Sequence, residues 1–316
     1  MVPEELIAAG ALAVLCGPTA VGKTEVAIPL AERLGAEIVC ADSRTVYRRM
    51  DIGTAKPPVA LRRRVPHHLI DIIEPDEPFT LADYQRLATR AIAEIRARGR
   101  LPLLVGGTGL YIRAIADQLV IPPVPPDQSL RARLEAEERE HGPGHLYARL
   151  AALDPLAARR IHPRNLRRVI RALEVTMLSG TPISQQQGRG SPSGPLAVVG
   201  LTMERGALYR RIDARVDAQL AAGLVDEVRG LLASGVPAHA PAMQGLGYRE
   251  IAGWLAGAYE LDEAVRRLKR NTRRYAKRQL TWFRRDPRIV WVPTTGADAD
   301  SVAARVHAIM DAKFSG

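Results

Sequence analysis

The sequence of 316 residues is poor in cysteine and in long apolar runs. Its two cysteines, Cys16 and Cys40, each end an apolar run, so we expect both to pack in a core rather than form disulfides or a zinc site. No run of about 18 apolar residues could span a membrane, and the early stretch IAAGALAVLC (7–16) lacks the basic flank of a signal peptide. We therefore expect a cytoplasmic protein with no membrane partner.

Acidic residues are few relative to basic ones, and aromatic residues are few in absolute terms. The chain has 45 Lys and Arg against 34 Asp and Glu, a net charge of +11. This excess favours a polyanionic partner, which could be a nucleic acid, an anionic membrane surface or a phosphorylated substrate. Because aromatic residues make up only 4% of the chain, a structured RNA fits better than a long single strand stacked on aromatic rings.

Short apolar runs alternate with amphipathic stretches in the first third of the chain. We predict strands at 11–16, 37–40 and 101–105 and helices at 23–34 and 80–98, with Pro29 expected to kink or loosen the first helix. Strands that alternate with helices predict an α/β fold with a parallel sheet.

Two breaks rich in proline, glycine and polar residues interrupt this pattern. IPPVPPDQ (121–128) and QQQGRGSPSGP (185–195) enclose a charged helical stretch, and strand patterns return at 195–201 and 288–292. We therefore predict a core formed by 1–120 and 196–316, the second part with a basic C-terminal helix, and a helical insertion domain over 121–195.

A phosphate-binding motif follows the first predicted strand. It is a complete GxxxxGKT loop, formed by Gly17, Pro18, Thr19, Ala20, Val21, Gly22, Lys23 and Thr24. The backbone N–H groups of such a loop can surround phosphate oxygens, while Lys23 adds a positive charge and the Thr24 hydroxyl can hold Mg²⁺. The motif predicts a phosphate site without specifying ATP.

Two other predicted strands are followed by residues of possible chemical use. Asp42 comes two residues after EIVC (37–40); it could face the phosphates as metal partner or general base, or it could cap a helix. GGTGLY (106–111) could bring Thr108 to the same crevice, or it could be a plain turn between strand and helix.

The positive charge is concentrated in two segments. Residues 266–288 contain eleven basic residues and one acid, Asp286, with Tyr275, Trp282 and Phe283 interleaved. The second cluster lies in the predicted insertion and comprises Arg159, Arg160, Arg164, Arg167, Arg168 and Arg171, of which Arg164, Arg168 and Arg171 could form one helical stripe. Such unbalanced segments favour contacts to a phosphate backbone over a solvated helix face.

Six segments, in order along most of the chain, resemble the tRNA dimethylallyltransferases, which prenylate the adenosine next to the anticodon. They are GPTAVGKT (17–24), ADSRTVYRRMDIGTAKP (41–57), VGGTGLY (105–111), IHP with RRVIRALE (161–174), QGLGYRE (244–250) and TRRYAKRQLTWFR (272–284). The resemblance implies a P-loop NTPase-like core with a helical insertion, enclosing a channel in which a flipped adenine meets dimethylallyl diphosphate. It also implies that the loop 17–24 binds the diphosphate rather than ATP.

The resemblance further implies roles for individual residues. Lys23 and Thr24 would act on the diphosphate with Mg²⁺, Asp42 would be the general base, and Thr108 would lie near the transfer centre, with Arg215 a weaker candidate for a second diphosphate contact. Contacts to the anticodon stem-loop of tRNA are implied for Asp42, Ser43, Arg44, Thr45, Thr108, Arg131, Arg167, Arg168, Val169, Ile170, Arg171, Gln244, Gly245, Leu246, Gly247, Tyr248, Arg249, Lys277 and Arg278.

This chain departs from the family pattern at three positions. Thr45 and Arg167 stand where many relatives carry Gln, and Arg49 replaces the Gly of Tyr-Arg-Gly-Met, so individual base contacts could differ. The alternatives are an adenylate isopentenyltransferase acting on a free nucleotide, a P-loop small-molecule kinase and a non-catalytic RNA-binding ATPase module. The basic segments argue against the first, and nothing in the sequence demands more than a monomer.

Overall fold

The computed structural model describes residues 3–190 and 194–315 and divides into two compact units. The core unit comprises Met1–Ala116 and Pro192–Gly316, and the helical unit comprises Asp117–Ser191. The helical unit therefore begins and ends slightly earlier than the insertion expected at 121–195. Of the expected break at 185–195, residues 191–193 lie outside the described part of the chain.

The first segment of the core unit alternates strands and helices. In chain order it contains α1 (Glu4–Ala8), β1 (Leu12–Cys16), α2 (Lys23–Leu34), β2 (Ala36–Ala41), α3 (Val59–Arg64), β3 (His67–His68), α4 (Leu81–Ala97), β4 (Leu101–Gly106) and α5 (Gly109–Ala116). β1, β2 and β4 confirm the three predicted strands. Pro29, which we expected to kink or loosen this helix, lies within α2 between the buried residues Ile28 and Leu30.

The helical unit has its own small core. It contains β5 (Leu119–Val120), α6 (Gln128–His141), α7 (His145–Leu153), α8 (Pro155–Arg160), α9 (Leu166–Ser179), α10 (Ile183–Gln186) and β6 (Gly188–Arg189). β5 and β6 pair antiparallel and bring the two ends of the unit together. Leu134, Leu150 and Leu173 pack between the helices. Much of 185–190, which we expected to be linker, is therefore ordered as the end of α10 and β6.

The second segment of the core unit returns to the sheet and adds the longest helix. Its elements are β7 (Leu196–Thr202), α11 (Arg205–Ala221), α12 (Leu224–Ala233), a 3₁₀ turn (Ala242–Gln244), α13 (Tyr248–Leu255), α14 (Leu261–Phe283), β8 (Val290–Pro293) and α15 (Ala299–Ser315). β7 and β8 confirm the strands predicted near 195–201 and 288–292.

The sheet explains how distant motifs come together. Its six strands run in the order β3-β2-β4-β1-β7-β8, and all neighbouring pairs are parallel. Cys16 of β1 and Ala41 of β2 both lie opposite Gly106 of β4, so the three strands end at one level. The GxxxxGKT loop, Asp42 and the GGTG segment therefore leave the same edge of the sheet side by side, where ligands of open parallel sheets bind.

Side chains from both faces of the sheet are buried under helices. Ala13 and Leu15 point into a cluster with α2 and α15, whereas Leu12 and Val14 point into a second cluster with α4 and α5. Burial on both faces is why these strands appear in the sequence as continuous apolar runs rather than alternating ones.

Candidate active site

The GxxxxGKT loop connects β1 to α2 and forms one wall of a cavity at the sheet edge. Gly17 has a φ of 147°, and a Cβ there would lie 2.7 Å from the Leu201 carbonyl oxygen, so no side chain fits. The side chains of Ala20 and Val21 are buried, which leaves their backbone as the part that can face a ligand. Thr19, Ala20, Gly22, Lys23 and Thr24 line the cavity.

The ammonium of Lys23 is turned towards its own loop. Its Nζ donates to the carbonyl oxygens of Gly17 (3.1 Å) and Pro18 (2.8 Å). Burial lowers the pKa of Lys23 to about 8, although the charge of Asp42 acts in the opposite direction. A buried cation whose hydrogen-bond partners are two neutral carbonyls would gain from an incoming anion, which supports a phosphate site here.

Asp42 and Thr108 follow the neighbouring strands β2 and β4 and are linked through Ser43. Asp42 Oδ1 accepts a hydrogen bond from the Arg44 amide (2.8 Å), and the Ser43 amide donates to Thr108 Oγ1 (3.1 Å). The helix-cap interpretation of Asp42 is wrong, because the residues after it form a turn and the next helix, α3, begins only at Val59. Asp42 lines the cavity.

Arg215 of α11 also lines the cavity. Burial lowers the pKa of Arg215, while the charges of Glu25 and Asp42 raise it. The positive charge of Arg215 in turn contributes to the lowered pKa of Lys23. Two cations from different elements thus face one cavity, an arrangement that suits a ligand with several negative charges.

Sequence reasoning did not assign two residues of α14 to this cavity, Tyr275 and Gln279, although both line it. Burial, together with the charge of Asp42, raises the pKa of Tyr275 to about 12, while a side-chain hydrogen bond with Thr108 acts in the opposite direction. Gln279 accepts from the Thr19 amide and donates to the Gly107 carbonyl, both at 2.8 Å. Their i, i+4 spacing within the TRRYAKRQLTWFR motif was the available signal.

The segment 42–45 does not present all its side chains to one surface. Thr45 is 7% exposed and lines the cavity, and its Oγ1 has no hydrogen-bond partner among the described residues. Arg44 instead reaches across the core unit and donates to the Pro241 carbonyl oxygen at 2.6 Å. Position 45 therefore bears on the cavity as well as on any RNA.

The QGLGYRE segment supplies fewer surface side chains than its motif suggested. Gln244 and Arg249 are exposed, but Tyr248 is 1% exposed and its hydroxyl donates to Glu227 at 2.6 Å. Leu246 packs against the same apolar cluster, and Gly245 and Gly247 are buried. The side chain of Tyr248 belongs to the core, so the expected contact of this residue with RNA could involve only its backbone.

The basic residues of α14 and of the two positions that follow it fall into two groups. Arg266 and Arg267 pair with Glu263, Lys269 pairs with Asp217, and Arg273 pairs with Asp213. The second group is exposed and pairs with no carboxylate in the described chain; we call it the basic face, and it comprises Arg270, Arg274, Lys277, Arg278, Arg284 and Arg285. About half of the segment's basic residues thus remain available for a polyanion.

The helical unit separates its arginines in the same way. Arg131 and Arg171 both pair with Glu174, whose side chain is fully buried, and Val169 and Ile170 lie in the core of the unit. Val169 and Ile170 therefore offer no side chain to RNA, whereas Arg131 and Arg171 hold the unit together and remain partly exposed. Because Arg164 precedes α9, the expected helical stripe of Arg164, Arg168 and Arg171 is wrong. Of the arginine cluster expected in the insertion, Arg159, Arg160, Arg164, Arg167 and Arg168 are exposed.

We expect Glu174→Ala to destabilise the helical unit by about 3 kcal/mol, because it leaves two arginines without their carboxylate and removes the acceptor of the Asp127 amide. Partial exposure of both guanidiniums keeps the loss at the low end of the range for buried pairs. Urea unfolding followed by circular dichroism measures it, with Glu140→Ala, an exposed position on α6, as control. Equal stability of both variants would contradict the structural role of Glu174.

Neither a membrane span nor a protein-only metal cluster is visible in the residues that the structure covers. Within 3–190 and 194–315, no helix is long and apolar enough to cross a membrane. The same ranges contain no group of three or more His, Cys, Asp or Glu side chains able to hold a metal ion.

The parallel sheet and the GxxxxGKT loop after β1 define a P-loop-like α/β protein. The IPP transferase family model matches residues 45–286, and an isopentenyl transferase model matches residues 10–64. These matches cover more than half of the chain. The chain belongs to the IPP transferase family.

Individual relatives agree over nearly the whole length. The tRNA dimethylallyltransferase of Symbiobacterium thermophilum is 53% identical over 290 residues, 91% of each chain, and that of Thermomicrobium roseum is 54% identical over 281 residues, 89% of this chain and 85% of the relative. The crystal structure of the tRNA isopentenylpyrophosphate transferase from Bacillus halodurans superposes with a TM-score of 0.74 at 45% identity and covers 97% of both chains. A eukaryotic dimethylallyltransferase acting on tRNA matches with a TM-score of 0.77 at 27% identity, over 90% of this chain and 74% of the relative.

Proposed function

We propose that this protein transfers the dimethylallyl group of dimethylallyl diphosphate to N6 of the adenosine 3′-adjacent to the anticodon in tRNA, with release of diphosphate. The observation that carries the proposal is one cavity that holds the GxxxxGKT loop, Arg215 and the carboxylate of Asp42. The loop and Arg215 suit a diphosphate, and Asp42 suits an amine that must lose a proton. The basic face of α14 suits the backbone of tRNA.

In this reaction N6 of adenine attacks the allylic carbon, a C–N bond forms, and the bond from that carbon to the diphosphate oxygen breaks. The electron pair of the broken bond leaves with the diphosphate, where Lys23, Arg215 and the loop amides stabilise the growing negative charge. The N6 proton passes to the carboxylate of Asp42, and from there to solvent. Thr108, tied to the Asp42 turn through Ser43, helps to fix the position of the acceptor.

Mg²⁺ is compatible with this cavity. Thr24 supplies a hydroxyl and Asp42 a carboxylate among its lining residues, and Mg²⁺ usually takes one or two protein oxygens together with substrate phosphates and water. Thr24 would hold the ion against the diphosphate. When bound, the ion would add positive charge at the leaving group.

Labelled dimethylallyl diphosphate, incubated with the protein, Mg²⁺ and either an anticodon stem-loop or AMP, tests the proposal. We expect label to move to the stem-loop alone. Label on AMP would instead favour an adenylate isopentenyltransferase, and consumption of ATP without any prenyl transfer would favour a kinase or an ATPase module. Either of these last two results would refute the proposal.

The basic face predicts a specific salt dependence of tRNA binding. We expect the double variant Arg274→Gln, Lys277→Gln to lower the slope of log K against log salt by about one unit per removed charge, because each phosphate contact releases a counterion. Filter binding between roughly 50 and 200 mM salt measures this slope. Arg266→Gln, on the same helix but paired with Glu263, should leave the slope unchanged. Equal slopes for the double variant and the wild type would exclude the basic face from the tRNA contact.

A further inference from the structure

One side of α14 faces the catalytic loops, while the basic face lies on exposed parts of the same helix. Tyr275, Gln279 and Trp282 recur at the spacing of one helical face. Tyr275 interacts with Thr108, and a Cβ at Gly109 would lie 2.2 Å from the Trp282 ring. The GGTG segment is therefore packed directly against this side of α14.

Gln279 makes the most specific contact on this side. It is 6% exposed, its Oε1 accepts from the Thr19 amide, and its Nε2 donates to the Gly107 carbonyl oxygen. The partners fix the orientation of the amide, since Thr19 offers only a donor and Gly107 only an acceptor. The planar carboxamide of Gln supplies an acceptor and a donor together at any ordinary pH, and Asn, which carries the same group, is one methylene shorter.

Gly107 lies too close to this amide for any side chain to fit at position 107. A Cβ at Gly107 would lie 2.3 Å from Gln279 Nε2 and 3.4 Å from the Gly17 carbonyl oxygen. The GGTG segment thus touches both Gln279 and the start of the phosphate loop. If the Gln279 side chain shifted, the phosphate loop or the GGTG segment would have to shift with it to keep its hydrogen bond.

These contacts form a continuous chain across the cavity. It runs from Thr19 of the phosphate loop through Gln279 to Gly107, and then through Thr108 Oγ1 to the Ser43 amide beside Asp42. The diphosphate end and the general-base end of the site are therefore connected through one carboxamide. We propose that Gln279 is a positioning residue that sets the distance between the phosphate loop and the Asp42–Thr108 pair.

The proposal rests on the transfer reaction proposed above, and it predicts a loss in kcat without a loss of binding. In Gln279→Leu, which keeps the size of the side chain but has no polar atoms, we expect kcat to fall roughly 10- to 100-fold, since small misplacements of reacting groups cost about this much. The dissociation constants for tRNA and for inorganic pyrophosphate should stay within about threefold of wild type. The reason is that the Thr19 amide and the Gly107 carbonyl already use the donor and the acceptor of the Gln279 carboxamide.

Gln279→Glu supplies a readout that a purely structural role would not move. An ionised Glu has no donor for Gly107, whereas a protonated Glu offers both an acceptor and a donor in the geometry of Gln. Burial beside a carbonyl oxygen raises the pKa of such a carboxyl group. We therefore expect the ratio of kcat in Gln279→Glu to kcat in wild type to rise at least about tenfold from pH 8.5 to pH 6, while the ratio for Gln279→Leu stays flat.

The outcomes separate this proposal from the proposed function. If the wild type transfers no label to the stem-loop, the function fails before any variant is compared. If the wild type is active, a kcat within twofold of wild type in Gln279→Leu, or a pH-independent ratio in Gln279→Glu, overturns the positioning role. If circular dichroism shows a lower melting temperature for Gln279→Leu than for the wild type, Gln279→Glu provides the test of the positioning role. Its kcat should recover at low pH, and its melting temperature is measured at each pH as the control for folding.

Discussion

Asp42→Asn is expected to reduce kcat for transfer about 10²- to 10⁴-fold, the range for loss of a general base. Asn retains an oxygen that can accept the hydrogen bond from the Arg44 amide, so the turn after β2 should keep its shape. It cannot take the N6 proton, and it removes the negative charge that acts on Lys23 and Tyr275. The loss should therefore appear in chemistry rather than in folding or RNA binding.

Single-turnover transfer to an anticodon stem-loop and filter binding of the same RNA measure the two effects separately. Asp76→Asn, at an exposed position in the loop before α4, removes a carboxylate of the same type and should leave both quantities unchanged. If Asp42→Asn weakens RNA binding as much as it slows transfer, Asp42 is an RNA contact and another group must accept the proton.

The placement of Asp42 shows what the sequence could predict. The runs at 11–16, 37–40 and 101–105 are apolar apart from Glu37 because these strands are buried on both faces, and that pattern identified them as parallel strands. Once they are adjacent and parallel, the residues that follow them must meet at one edge. The apolar runs therefore place the phosphate loop, Asp42 and the GGTG segment at the same edge, and the strand order seen in the structure makes them neighbours there.

The roles of arginine and tyrosine side chains could not be predicted in this way. Arg131 and Arg171 carry the same charge as the exposed Arg167 and Arg168, and only the buried Glu174 between them makes the first pair structural. The Tyr248 hydroxyl can be buried in the core because it donates a hydrogen bond to Glu227, which lies on a different helix. A sequence motif records which residues occur together, but the direction of each side chain depends on such long-range partners.

Gln279 was missed for a related reason. A polar residue within a strongly basic helix is compatible with a solvent-exposed position, and the two groups that bury it, the Thr19 amide and the Gly107 carbonyl, are far away in sequence. Hydrogen bonds to backbone groups cannot be recognised from the types of side chain in a sequence. Lys23 also has backbone partners that the sequence did not reveal. Its motif predicted a role at the phosphates but not its hydrogen bonds to the carbonyl oxygens of Gly17 and Pro18.

Lys23→Met should lower kcat/KM for dimethylallyl diphosphate about 10²- to 10³-fold, as expected when one preorganised donor to a developing anion is lost. Met keeps an apolar stem of similar length, and the charge it removes is already disfavoured by burial, so we expect no loss of stability. Transfer kinetics at saturating stem-loop RNA measure the effect, and thermal unfolding of the variant serves as the control for folding.

The lowered pKa of Lys23 adds a pH dependence with a definite sign. With a pKa of about 8 in the free protein, the ammonium is mostly protonated below pH 8 and mostly neutral above it. Because the protonated form binds the anion, the affinity of the wild type for inorganic pyrophosphate should fall roughly fivefold between pH 8 and pH 9 relative to Lys23→Met. Titration calorimetry of both proteins gives this ratio, in which the ionisation of pyrophosphate itself cancels. A ratio constant from pH 7 to 9 would mean that Lys23 either stays protonated throughout or does not touch the diphosphate, and the size of the kcat/KM loss distinguishes the two.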